Sequence, residues 1–265
     1  MFEIHYLGHS AWLVRTADRL LLFDYGRLPY RQEHGALSEG VCDLEMLEPL
    51  PLYVFSSHAH ADHYSAGLQR QVSRRPASFF IFGQDRQPSN EGPAAGTDGT
   101  WLIGAHSRLQ LGDLTIRTTA STDSGVSFLI DCPEAVIYHG GDLAVWDDTD
   151  YFKQTYRREI DCLAEWTAGL KRVPDLAFLP VSTSDGYQEE ELLQGVWYLL
   201  KRLEPMIILP MHAHGHEHLY RQFAGLAAAK GWKNLLVPQK PGDAFHIPAD
   251  KLSNQSLRSA DSRKE

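Results

Sequence analysis

Apolar and polar positions along this chain alternate in short blocks rather than long runs. Residues 2–7 and 11–16 predict two strands around the turn Gly8-His9-Ser10. The run Leu20-Leu21-Leu22-Phe23 lacks polar alternation and stops at Asp24, Tyr25 and Gly26, which predicts a buried strand ending in a loop. Leu52-Tyr53-Val54-Phe55 and Phe79-Phe80-Ile81-Phe82 predict two more strands of this kind. A short helix is expected around Asp43 to Glu48 and another over 65–74. Residues 84–100 are rich in Gly, Pro, Ser, Asn and Asp and predict a loop. Strand-like stretches follow near 101–103, 107–111, 114–120, 126–131 and 135–139, two of them separated by the turn Gly112-Asp113.

The period then changes. Residues 150–170 and 188–203 repeat apolar positions at helical spacing, with Leu192, Leu193, Val196, Leu199, Leu200 and Leu203 on one stripe. Leu176-Ala177-Phe178-Leu179 and Met206-Ile207-Ile208-Leu209 predict strands, the latter ending at Pro210-Met211-His212. A helix from about 216 to 230 and a strand at Leu235-Leu236-Val237 complete the pattern. Strands first, then helices interleaved with strands, predict a layered α/β arrangement. One domain is expected over 1–250, followed by a polar tail over 251–265.

Composition narrows the classes. The 265 residues suffice for a sizeable core, and 43% hydrophobic with 22% charged residues is ordinary for a globular protein. The net charge of −9 makes nucleic acid an unfavourable partner and leaves a small-molecule substrate as the expectation. No apolar run reaches the ~18–20 residues needed to span a bilayer. The N-terminal stretch lacks the basic start and apolar centre of a signal peptide, so a cytoplasmic location is expected. Cys42, Cys132 and Cys162 are odd in number and widely spaced, as reduced thiols are.

The densest chemistry is His58-Ala59-His60-Ala61-Asp62-His63, directly after a buried strand. Residues two apart on extended chain point the same way, so His58 and His60 can converge on one ion. A turn after them brings Asp62 and His63 toward a second ion. Imidazole and carboxylate suit zinc, and also iron or manganese. Asp24 also reads as a strand-end cap, Asp142 as a turn residue after two glycines, and His139 as a packing residue. Of His212, His214, His216 and His218, only His212 is taken as a ligand; the others begin a helix or line a rim.

The motif His-x-His-x-Asp-His after a strand resembles the signature of the metallo-β-lactamase superfamily. Asp24 after its strand, Gly140-Gly141-Asp142 after the strand at 135–139, and Pro210-Met211-His212 match in the same order. The resemblance covers about residues 2–240. It implies a four-layer αββα sandwich with metals at strand ends. It implies His58 and His60 on a first metal, Asp62, His63 and His212 on a second, and Asp142 bridging the two. Asp24 would orient a ligand or its loop, with Thr122 and His139 close behind. One or two divalent ions, zinc first and manganese or iron as alternatives, would then activate water for hydrolysis of an ester, lactone, thioester or phosphodiester. Asp62 and Asp142 would take part in proton transfer.

The sequence departs from the family at one ligand. The family supplies a third histidine to the first metal from a Gly-His-Thr type segment. Here the stretch 120–128 holds Thr122 and Asp123 and no histidine. Three outcomes are open: Asp123 stands in as a carboxylate, a water fills the place, or only the second site holds metal well; Asp123 is the preferred substitute. Two rival readings follow. A site degraded by that loss would leave a mononuclear or non-catalytic metal-binding protein. A di-iron redox protein would carry glutamate where this chain has His60.

Overall fold

The computed structural model describes residues 1–85, 94–96, 99–183, 185–187 and 189–253. Two sheets face each other. The first contains β1 (Phe2–Gly8), β2 (Ala11–Arg15), β3 (Leu20–Phe23), β4 (Leu52–Ser56), β5 (Ser78–Gly83), β6 (Ala94–Ala95), β7 (Thr100–Ile103) and β14 (Ala244–Ile247). Their order is β14-β1-β2-β3-β4-β5-β7-β6. The second contains β8 (Arg108–Leu111), β9 (Leu114–Ala120), β10 (Val126–Asp131), β11 (Val136–His139), β12 (Leu176–Pro180) and β13 (Ile207–Met211), in the order β13-β12-β11-β10-β9-β8.

The side-chain alternation of strands builds the layers. In β3, Leu21 and Phe23 point into the space between the sheets, where they meet residues such as Phe55, Phe128 and Phe178. Leu20 and Leu22 point the other way, into a separate core shared with Val54, Phe80, Leu68 and Val72. Leu68 and Val72 belong to α1 (Ala66–Val72), which is capped by the Ser65 hydroxyl accepting from the Leu68 amide.

The other helices are α2 (Asp150–Leu170), α3 (Glu190–Leu203), α4 (His218–Ala229) and α5 (Ala249–Ser253). The stripe Leu192, Leu193, Val196, Leu199, Leu200 and Leu203 is buried, as its spacing predicts. Each such side chain contributes about 1.5–3 kcal/mol. The acidic residues Glu190 and Glu191 at the start of α3, with Lys201 and Arg202 at its end, also suit the helix dipole. Helix α2 packs on β9 and α3, and Trp197 of α3 stacks on Phe223 of α4. The result is the αββα arrangement.

Several local expectations are corrected. Residues 43–48 form turns, not a helix, with the Met46 amide donating to the Asp43 carbonyl. The helical turn of that region is instead a 3-10 segment at Leu37–Glu39. Leu235 makes only a single bridge to Ile208, so 235–237 is not a strand. The closing strand is β14, which pairs antiparallel with β1. Its alternation is partly exposed and gives little hydrophobic signal. Part of the expected loop at 84–100 lies outside the described residues, and within the rest Ala94–Ala95 pairs with β7. Leu252 in α5 is buried, and residues 254–265 lie outside the described residues.

Strands β3, β4 and β5 run parallel, as do β11, β12 and β13. Their carboxyl ends therefore lie together, and the loops leaving them meet at one edge of the sandwich.

Candidate metal centre

Five chain segments deliver side chains to that edge. Asp24 leaves β3, His58 to His63 leave β4, Asp142 follows β11, His212 follows β13, and Asp123 lies in the turn between β9 and β10. The segments are packed at backbone contact. Gly125, at φ +70°, sits so close that a Cβ there would lie 2.0 Å from the Ser57 carbonyl oxygen. Only glycine allows the β9–β10 turn to approach the histidine loop this closely.

Asp142 lies at the centre. Its Oδ2 is 3.5 Å from His58 Nε2, while its Oδ1 is 3.3 Å from His63 Nε2 and 3.4 Å from His212 Nε2. The two oxygens thus face two different groups of imidazoles. On one side, His58, His60, Asp123 and Asp142 bring four donor atoms within 4.8 Å of one another. Here His58 Nε2 is 2.9 Å from His60 Nδ1, which is 3.8 Å from Asp123 Oδ2. On the other side, Asp62 Oδ2 is 3.8 Å from His63 Nε2.

These separations fit shared cations. Two ligands each about 2.0–2.2 Å from one ion lie roughly 3–3.5 Å apart. His63 Nε2 and Asp142 Oδ1 are buried and make no hydrogen bond among the described residues. Buried polar atoms left without partners are rare and costly. Both point into the space a cation would fill, so the donor set fits a metal.

Neighbouring groups fix the candidate ligands. Asp24 Oδ2 accepts from His63 Nδ1 and from the Ser57 hydroxyl, each at 2.8 Å, and Asp24 Oδ1 accepts from the Ser57 amide at 2.7 Å. Asp24 thus holds a proton on Nδ1 and leaves Nε2 as the nitrogen that would face an ion. His212 Nδ1 donates to the Ser182 carbonyl at 3.0 Å, which frees its Nε2 in the same way.

Both ring nitrogens of His139 are engaged away from the donor cluster. Its Nε2 donates to the Ser10 carbonyl at 3.1 Å and its Nδ1 accepts from the Gly141 amide at 3.2 Å. It holds the turn that presents Asp142. Thr122 points away from the donors; its hydroxyl bonds both the carbonyl and the amide of Ala144, tying the Asp123 turn to the Asp142 loop. Trp146 donates to the Asp142 carbonyl at 2.8 Å, and its ring lies 5.0 Å from that of His212. Tyr64 instead packs against Phe80 and Phe82, away from the site.

The charges are coupled. Burial favours neutral Asp142, but His63 and His212 outweigh it and hold the carboxyl well below its usual range. Burial likewise disfavours the Asp24 charge, and His63 and His139 overcome it. For His63, burial lowers the pKa, yet Asp142, Asp24 and Asp62 raise it to about 10. The His58 imidazole is pushed down by burial and by His63.

One residue at this edge was not singled out from the sequence. His9, in the β1–β2 turn, is fully buried, with Nε2 3.1 Å from Asp62 Oδ2 and its ring 4.5 Å from that of His212. Burial, with His212 nearby, lowers its pKa to about 3. His214 joins it beside Asp62. A histidine between two strands reads as an ordinary turn residue, and the sequence held no further sign of its place.

Comparison with known proteins agrees with this fold. Residues 3–212 match the family model described as a beta-lactamase superfamily domain. A metal-dependent hydrolase of Opitutus terrae is 30% identical over 265 residues, covering 92% of this chain and all of that protein. One from Caldivirga maquilingensis is 23% identical over 257 residues, covering 94% of this chain and 99% of its own. Among solved structures, the metallo hydrolase Igni18 of Ignicoccus hospitalis superposes with a TM-score of 0.57 at 19% identity, over 93% of this chain and 99% of that one. The ordered ligand motifs, the paired sheets and the family match together place this chain in the metallo-β-lactamase superfamily of metal-dependent hydrolases.

Proposed function

We propose that this protein is a dinuclear hydrolase acting on an ester, lactone, thioester or phosphodiester bond of a small molecule. The observation that carries it is the split carboxylate of Asp142, one oxygen turned to His58 and the other to His63 and His212. That is the arrangement a bridging ligand needs. His58, His60 and Asp123 would hold the first cation; Asp62, His63 and His212 would hold the second. Asp123 fills the place of the family's third histidine, which argues against a degraded site. The carboxylate favours a harder ion at the first position, manganese or iron, while the imidazoles of the second suit zinc.

When bound, divalent cations in such a site lower the pKa of water from about 15.7 toward about 7 and polarise the scissile oxygen. Asp62 is the carboxylate best placed to move a proton, because it reaches solvent while Asp142 is buried. Its pKa is nevertheless held down: burial raises it, and the adjacent imidazoles of His9 and His63 outweigh burial. It stays ionised at neutral pH. Asp142 would be shared between the two cations, and Trp146 forms a wall beside His212.

Elemental analysis tests this reading. Two equivalents of metal in the wild type, falling sharply in a His58→Ala/His60→Ala double variant, are expected. One equivalent in the wild type would reduce the site to a mononuclear one, and none after reconstitution with zinc, manganese or iron would refute it. An esterase, lactonase, thioesterase and phosphodiesterase panel with each metal then selects the bond.

A further inference from the structure

We propose that His9 is a further ligand of the second metal, so that this site holds an imidazole beyond His63 and His212. This inference rests on the dinuclear reading above.

The position of His9 is built, not incidental. Its turn is held from two sides. The Arg31 guanidinium donates to the carbonyls of Leu7 and Gly8, at 2.7 and 3.4 Å, and to that of Gly26. Gly26 belongs to the loop that packs directly on Asp62. On the other side, the His9 carbonyl accepts from the His212 amide at 3.2 Å and from the Tyr220 hydroxyl at 3.3 Å. His9 itself is left-handed, at φ 56°. That conformation is uncommon for a residue with a side chain. The surroundings here aim the imidazole at the second site.

The ring has nothing else to do there. It is fully buried, and neither nitrogen makes a well-formed hydrogen bond among the described residues. Nε2 is 3.1 Å from Asp62 Oδ2 but lacks the alignment of a hydrogen bond. The same unsatisfied state marks His63 Nε2 and Asp142 Oδ1, two atoms already placed on the second cation. One nitrogen of His9, one of His63 and one of His212 lie within 4.8 Å of one another. Three imidazoles that converge on one point, with unpaired nitrogens among them, share a cation more readily than they share protons.

The chain thus differs from the family pattern twice, in opposite senses. The first site exchanges an imidazole for the carboxylate of Asp123, and the second gains one from the β1–β2 turn.

The test counts imidazole ligands in the full chain loaded with two equivalents of cobalt(II). Each coordinated histidine gives one hyperfine-shifted, exchangeable ring N–H signal in the proton spectrum. Five such signals are expected in the wild type, from His9, His58, His60, His63 and His212. Four signals in the wild type would overturn the inference while leaving the dinuclear reading standing. No cobalt uptake would end both. In His9→Phe and His9→Gln one signal is expected to disappear, with affinity for the second equivalent falling at least tenfold in each. If His9 merely donates to Asp62, the glutamine amide restores the affinity, and that result also overturns the inference. The wild-type count does not depend on either variant folding.

Discussion

Asp24 and His63 face each other across 2.8 Å, and both side chains are withdrawn from solvent. The carboxylate fixes which nitrogen of His63 carries the proton, and so which one is offered to a metal. Asp24→Asn would place an amide donor or a weaker acceptor opposite Nδ1. Affinity for the second equivalent of metal is expected to fall about 10–100-fold. A chelator competition titration measures this. Unchanged affinity in a folded variant would remove Asp24 from the support of the site.

Asp123, the proposed substitute ligand of the first site, lies 3.8 Å from His60 Nδ1 and is half exposed. Asp123→Ala is expected to bring bound metal from two equivalents toward one, because His58 and His60 with only the shared Asp142 hold a cation poorly. Asp123→His is expected to keep both equivalents and shift the first site's preference from manganese toward zinc. Elemental analysis after gel filtration against mixed metals reads both outcomes. Full occupancy in Asp123→Ala would assign the place to solvent.

In the metal-free protein, pH acts through His63. Its pKa is raised from 6.5 to about 10, because the nearby carboxylates of Asp142, Asp24 and Asp62 outweigh burial. The folded state binds this proton more tightly than the unfolded chain does. The stabilisation is complete below about pH 6.5 and is lost as pH rises toward about 10. The urea midpoint of chelator-treated protein is expected to drop across that window, and His63→Gln to flatten the drop. A midpoint that climbs instead would contradict the coupling. Metal uptake near neutral pH should release the same proton, visible as a binding heat that varies with the buffer's ionisation enthalpy.

Gly125→Ala tests how tightly the β9–β10 turn is pressed on the histidine loop. The added methyl would lie 2.0 Å from the Ser57 carbonyl oxygen and 2.6 Å from His58 Cβ, at φ +70°. A loss of about 2–5 kcal/mol in unfolding free energy is expected from overpacking and left-handed strain. First-site affinity should weaken with it, since Asp123 and His58 are displaced together. Gly112→Ala, also at positive φ but with nothing within 4 Å, serves as the control for strain alone.

Much of this molecule was written in local order along the chain. The apolar runs at 20–23, 52–55 and 79–82 became central strands because such runs are buried on both faces wherever they fold. The stripe of α3 and the cluster His58 to His63 depend only on spacing within one element, so they too were legible. Residues 43–48 and 235–237 carry local signals that tertiary packing overrode, and β14 pairs along β1 despite a weak pattern of its own. Direction and partnership across the chain could not be read. That Asp123 lies with His58 and His60, that Thr122 turns away to Ala144, and that His9 reaches Asp62 and His212 all follow from two sheets bringing distant turns to one edge. The sequence determined which residues could bind metal; the packing of the sheets decided which of them meet, because a ligand set is a relation between positions in space, and those positions are set by contacts far apart in the chain.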